Sequence, residues 1–117
     1  MGFLGKISGE PVPTIGISEL KEKLANGNQP YLLDVRQAVE YRTGHIASAK
    51  LIPLGELGSR LNEVPRDREV VCICATGHRS VPAARRLIAA GYAATSLQNG
   101  MIAWQLAKLP IKTGISG

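Results

Sequence analysis

Residues 69–80 read EVVCICATGHRS, and the fold class can be inferred outward from this segment. Its first half, Glu69–Cys74, is apolar and β-branched, which predicts a central strand covered on both faces of a parallel sheet. Its second half predicts a loop and then a helix, with Ser80 as the N-cap and Pro82 in the first turn. Gly91 is a natural end for that helix. The segment is therefore predicted to be a strand–loop–helix unit.

Short apolar runs and runs of helical period alternate along the rest of the chain. This alternation predicts an α/β fold with a central, mostly parallel sheet and helices on both faces. We expect an irregular lead-in over 1–13, one domain over 14–112 and a short tail over 113–117. The other predicted strands are Thr14–Ile17, Tyr31–Val35, Ala49–Ile52 and Ala94–Leu97. Four other helices are predicted. The first begins at a Ser18 cap, the second covers Gln37–Arg42, the third extends from Leu54 to Pro65, and the fourth covers Met101–Lys108.

The composition fits one soluble globular domain. The chain has 117 residues, of which 44% are hydrophobic and 20% charged, and it has only two cysteines, too few for a disulfide-framed secreted miniprotein. Its apolar runs fall far short of the roughly 20 residues that cross a bilayer. We expect a cytoplasmic protein with reduced thiols and no membrane partner. The net charge of +5 suits an anionic ligand. A nucleic-acid partner is not expected, because the sequence has no stripe of alternating basic and aromatic residues.

The loop after the central strand has the parts of an anion-binding cradle. Gly77 allows a positive φ, so that successive backbone N–H groups can turn inward. Arg79 and the start of the following helix add positive charge, which lowers the pKa of a nearby cysteine. Cys74 is therefore the leading nucleophile candidate, and the alternative is a small buried residue at a strand end.

Cys72 has a different predicted role. Residues two apart in a strand share a face, so Cys72 lies one pleat deeper than Cys74 and is expected to pack in the core. A disulfide between the two would strain an extended strand. A metal site built from Cys72, Cys74 and His78 is disfavoured, because it offers three poorly placed ligands.

The chain resembles a single-domain member of the rhodanese (thiosulfate sulfurtransferase) family. Residues 32–54, LLDVRQAVEYRTGHIASAKLIPL, resemble its N-terminal signature, and residues 74–80, CATGHRS, resemble its active-site loop. Residues 97–104, LQNGMIAW, are a weaker match, because Asn99 replaces the first glycine of the usual Gly-Gly pair.

The resemblance implies sulfur transfer through a persulfide on Cys74, without a metal or organic cofactor. The implied donor is thiosulfate or a persulfide, the acceptor is cyanide or a thiol, and either partner could be a protein. The residues implied in substrate binding are Ala75, Thr76, Gly77, His78, Arg79 and Ser80.

Two alternatives to this enzyme remain open. One is a rhodanese-like binding or sulfur-relay module without rapid turnover. The other is a phosphatase or arsenate reductase. Phosphatases with a similar cysteine loop, however, carry the arginine one position farther from the cysteine than Arg79 is from Cys74. Ala75 stands where thiosulfate-using relatives often carry a second basic residue, which leaves the donor open.

The N-terminal signature also supplies polar residues that we interpret as structural. Arg36 and Glu40 are four apart and suggest a helical ion pair. His45 is expected to form hydrogen bonds in a turn. Asp34 ends a strand at the expected edge of the site and could reach the loop.

Overall fold

The strands form one parallel sheet in residues 11–117, the part of the chain that the computed structural model describes. Their order across the sheet is β1-β5-β4-β2-β3, and all four pairings are parallel. The strands are β1 Thr14–Ile15, β2 Tyr31–Asp34, β3 Lys50–Leu51, β4 Val70–Ile73 and β5 Ala94–Leu97. Because the strands are parallel, their carboxyl ends meet at one edge of the sheet.

Helices follow the strands and cover the sheet. They are α1 Ile17–Ala25, α2 Ala38–Thr43, α3 Leu54–Leu57, α4 Ser80–Ala89 and α5 Gly100–Leu106, with a 3-10 turn at Leu61–Glu63. None of them combines the length and apolar character needed to cross a bilayer, within residues 11–117. The predicted α/β class with a parallel sheet is confirmed.

The central strand β4 has a core on each side. Val70 and Cys72 face a cluster that includes Leu57 of α3 and Leu87 of α4. Val71 and Ile73 face a cluster that includes side chains of the other three helices: Leu20, Tyr41 and Trp104. All four residues of β4 are buried, as the continuous apolar run predicts for a strand covered on both faces.

Several element boundaries differ from the predictions. The helix predicted from Leu54 to Pro65 breaks after Leu57 and resumes as a 3-10 turn. Helix α1 begins after Gly16, so Ser18 is not its cap. Of the predicted lead-in over 1–13, residues 1–10 lie outside the described residues.

The prediction that Ser80 caps α4 is also wrong. Arg79 already has helical backbone angles, with φ −79° and ψ −26°. Its carbonyl oxygen accepts the Ala83 N–H at 3.2 Å. Ser80 is therefore the first residue inside the helix, and its hydroxyl is free to turn toward the sheet.

Candidate active site

The Cys74 sulfur lies on the floor of the loop between β4 and α4. The backbone N–H groups of Gly77 and Ser80 donate to Sγ over 3.0 and 3.3 Å. The Ser80 Oγ lies 3.5 Å from Sγ. Gly77 has a φ of +99°, which turns its N–H inward as the sequence predicts. The sulfur is thus surrounded by donors from the loop and from the first residue of α4.

These contacts favour the thiolate form of Cys74. Burial alone raises the pKa of the thiol, because it penalises the charged form. Hydrogen bonding with the Ser80 hydroxyl, together with hydrogen bonds from the Ser80, Thr76 and Gly77 N–H groups, outweighs that effect, and the pKa lies below the ordinary value. Cys74 therefore loses its proton more easily than an ordinary cysteine.

Cys72 has the opposite electrostatics. It is fully buried in the core, and burial raises the pKa of its thiol to about 12. Both cysteines are free thiols. Within residues 11–117, Cys72, Cys74 and His78 do not converge as a group of ligands. The two neighbouring cysteines therefore differ in chemistry, and Cys72 packs in the core as predicted.

The Ser80 hydroxyl has a second buried partner that the sequence reasoning missed. Its Oγ lies 2.7 Å from the Oγ of Ser96 in β5, and both residues are buried. Ser96 pairs with Cys72 in the register of β4 and β5. The signal in the sequence was a serine inside a buried strand, because such a hydroxyl needs a partner.

The Arg79 guanidinium is bound to Glu40 of α2. Its two terminal nitrogens donate to the two carboxylate oxygens of Glu40, over 2.7 and 2.8 Å. This pairing lowers the pKa of the Glu40 carboxyl to about 2. The Gln37 N–H also donates to the Glu40 Oε1, over 2.9 Å. The guanidinium is therefore balanced by a carboxylate of the N-terminal signature.

The predicted ion pair between the Arg36 and Glu40 side chains is wrong. Arg36 precedes α2 and binds Asp34, with 2.8 Å between Nη2 and Oδ2. It also donates to the Gly44 carbonyl oxygen over 2.8 Å. The Asp34–Arg36 pair is buried, and it joins the end of β2 to the end of α2.

His45 is a buried turn residue. Its Nδ1 lies 2.8 Å from the carbonyl oxygen of Tyr41, and its Nε2 lies 2.9 Å from that of Ser116. The ring stacks on Tyr41 with 3.7 Å between centroids. These contacts fit the hydrogen-bonded turn role expected for His45.

The start of α5 holds the other side of the loop. Met101 N–H donates to the Cys74 carbonyl oxygen over 2.9 Å, and Ile102 N–H donates to that of Ala75 over 3.0 Å. Gly100 has a φ of +51°, and a Cβ there would collide with the Cys74 carbonyl oxygen. Residues 97–104, the weaker of the family matches, therefore include the residues that support the loop carrying Cys74.

A cavity of about 570 Å³ lies beside the loop. Thr76, Gly77, His78, Ser96 and Asn99 are among its lining residues. His78 is exposed, with its Nδ1 3.1 Å from the Thr76 Oγ1. Among the residues that the structure describes, those lining this cavity include no lysine, arginine, aspartate or glutamate.

The chain is similar to known proteins over most of its length. A family model described as Rhodanese-like domain matches residues 17–107. The chain is 36% identical over 101 residues to a sulfurtransferase of Allochromatium vinosum, covering 86% of this chain and 94% of that protein. It is 32% identical over 94 residues to a putative sulfurtransferase of Bacillus subtilis, covering 80% and 91%.

A solved structure has the same fold. The crystal structure of a rhodanese-related protein from Thermoplasma volcanium matches with a TM-score of 0.81 at 28% identity, covering 87% of this chain and 99% of that one. Together, the family match and the curated relatives support a sulfurtransferase or sulfur-relay role. The chain belongs to the rhodanese-like domain family.

Proposed function

We propose that this chain is a sulfurtransferase that carries a sulfane sulfur as a persulfide on Cys74. The observation that carries the proposal is the cradle around Sγ, in which N–H groups of Gly77 and Ser80 point at the sulfur. These donors stabilise a negative charge on Sγ, and the same charge would sit on the persulfide.

The first half-reaction loads the enzyme. The Cys74 thiolate attacks the outer sulfur of thiosulfate, or the terminal sulfur of a persulfide. A new bond forms between Sγ and that sulfur, while the sulfur–sulfur bond of the donor breaks. Its electron pair leaves with sulfite or with a thiolate.

The second half-reaction restores the enzyme. Cyanide or a thiol attacks the outer sulfur of the Cys74 persulfide, and the Sγ–sulfur bond breaks with its electron pair on Sγ. Cys74 returns to the thiolate that the loop stabilises. Both half-reactions use residues of this chain alone, with Ala75, Thr76, Gly77, His78, Arg79 and Ser80 forming the loop around the substrate. The mechanism needs Cys74 in its reduced form, which a reducing compartment such as the cytoplasm maintains.

Intact mass and turnover test the proposal together. Wild type treated with thiosulfate, or with a small-molecule persulfide, is expected to gain the mass of one sulfur atom, and cyanide is expected to remove it. Cys74→Ser is expected to gain nothing. Cys72→Ala is the matched control and is expected to load like wild type, because Cys72 is buried.

Each other outcome has a definite meaning. A wild type that accepts no sulfur from either donor contradicts the proposal, as does Cys74→Ser with undiminished turnover. Loading without turnover would indicate the sulfur-relay module. Hydrolysis of an aryl phosphate in place of sulfur transfer would indicate a phosphatase.

A further inference from the structure

We infer that Glu40 sets the donor preference of Cys74: it balances the charge of Arg79, so that the site favours persulfides over thiosulfate. This inference rests on the proposed sulfur transfer and adds a specificity-determining residue to it. Glu40 touches neither the sulfur nor the loop backbone in the contacts described above. It acts through Arg79.

The ion pair is built into the fold. Arg79 and Glu40 meet through two parallel hydrogen bonds of 2.7 and 2.8 Å, the arrangement in which arginine binds a carboxylate most strongly. Glu40 is held in place independently by the Gln37 N–H over 2.9 Å. Its side chain is 32% exposed and that of Arg79 is 34% exposed. The carboxylate is therefore positioned before any substrate arrives.

Among the described residues of the loop and of the adjacent cavity lining, no lysine and no second arginine accompanies Arg79. Arg79 is the only lysine or arginine of the loop, where Ala75 is the residue after the cysteine. The lining of the adjacent cavity includes His78 but no lysine, arginine, aspartate or glutamate among the residues described. Arg36, the nearby arginine of the N-terminal signature, is buried on Asp34. The groups that contact the Cys74 sulfur are backbone N–H groups and the Ser80 hydroxyl, which are neutral dipoles.

The two classes of donor differ in the charge they bring to this site. Thiosulfate enters as a dianion, and its sulfur–sulfur bond breaks to release sulfite, which also leaves as a dianion. A persulfide gives up its terminal sulfur and releases a thiolate with one negative charge. An ion pair without net charge gives a dianion much less stabilisation than an unpaired guanidinium, because attraction grows with charge. The geometry therefore suits the donor with the less charged leaving group.

Glu40→Gln tests the inference directly. The amide keeps the shape of the side chain and an oxygen for the Gln37 N–H, but it removes the charge that balances Arg79. We expect kcat/KM for thiosulfate to rise roughly tenfold, the low end of the effect of a charged cleft on an anionic substrate. The gain should shrink at high ionic strength. The comparison donor is the persulfide of N-acetylcysteine amide, which has no charge outside its persulfide group and should gain much less.

Two further variants isolate the cause. Glu63→Gln is the matched control, because Glu63 also binds an arginine, Arg60, with 2.8 Å between Oε2 and Nε. Its charge acts on Tyr31, at the start of β2 and away from the loop, so both donors should react as in wild type. Combining Glu40→Gln with Arg79→Met should abolish the gain in kcat/KM for thiosulfate, because the double variant has no Arg79 guanidinium left unpaired by the loss of Glu40.

The outcomes separate this inference from the proposed function. A wild type that accepts sulfur from neither donor contradicts the proposed function itself. A wild type that prefers thiosulfate to the persulfide overturns the inference and leaves sulfur transfer intact. So does a folded Glu40→Gln with an unchanged thiosulfate rate. If Glu40→Gln does not fold, Ala75→Lys adds a cation to the loop without touching the pair, and an unchanged thiosulfate rate there also overturns the inference.

Discussion

Adding a single methyl group at Gly100 should destabilise the protein strongly. Gly100 begins α5 with a φ of +51°, and it lies against the backbone of the loop that carries Cys74. A Cβ at Gly100 would collide with the Cys74 carbonyl oxygen and come within 2.8 Å of the Ala75 carbonyl carbon and oxygen. These are backbone atoms, which move only if the loop moves. Gly100→Ala should therefore push α5 away from the loop.

The expected loss follows from two contributions. An alanine in the left-handed region costs roughly 1–2 kcal/mol. Moving α5 breaks the hydrogen bonds from Met101 to Cys74 and from Ile102 to Ala75, each of which contributes about 1 kcal/mol. We expect the free energy of unfolding to fall by about 3–4 kcal/mol, a large share of the roughly 5–15 kcal/mol that stabilises a domain.

Urea unfolding of wild type and Gly100→Ala measures that loss. Gly55→Ala is the matched control, because Gly55 lies in α3 with open space where its Cβ would be. The control should be unchanged or slightly stabilised, by up to about 1 kcal/mol, since alanine favours a helix over glycine. A loss below about 0.5 kcal/mol for Gly100→Ala would show that the Cβ is accommodated without moving the loop, because surface substitutions without structural cost give changes of that size.

Three further predictions concern charge and protonation. Ser80→Ala removes a hydroxyl that lowers the pKa of Cys74, so the pH profile of iodoacetamide alkylation should shift to higher pH, and an unmoved profile would contradict the assignment. Asp34→Asn leaves the buried Arg36 without its carboxylate and should cost about 3–5 kcal/mol; urea unfolding with a loss under 1 kcal/mol would count against it. The pKa of Glu40 is about 2, below its ordinary 4.5. Its contribution to stability is therefore present above pH 4.5 and is lost as the pH falls toward 2. Glu40→Gln should flatten the dependence of stability on pH in that window, and a curve as steep as that of wild type would exclude the contribution.

The sequence alone predicted the local features of the fold well. Strand β5 runs over Ala94–Leu97 as predicted, and Gly77 has the positive φ that the loop needed. These successes rest on patterns within a few residues: runs of apolar side chains mark buried strands, and glycine marks turns. The predicted helix boundaries were less accurate than the predicted strands. The spacing of Leu54, Leu57 and Leu61 indicates which side of the segment is buried, but it does not show whether the helix is continuous.

The contacts across the chain could not be predicted in the same way. Glu40 pairs with an arginine 39 residues away, and the sequence reasoning assigned it to Arg36, its neighbour at helical spacing. Ser96 reaches Ser80 because β5 lies beside β4. Both contacts depend on strand order, which periodicity does not report. Gly100 was missed for the same reason, since its constraint comes from the backbone at Cys74.

If Cys74 carries a sulfur as proposed, the environment of Cys72 limits where that sulfur can go. The chain has two cysteines, and Cys72 is buried with the pKa of its thiol raised to about 12. A thiol that stays protonated and enclosed cannot attack a sulfur held on Cys74. The chain thus has no resolving thiol of its own. On the proposed mechanism, a sulfur loaded on Cys74 would have to be removed by an acceptor other than Cys72, and an oxidised Cys74 would likewise depend on a different reductant.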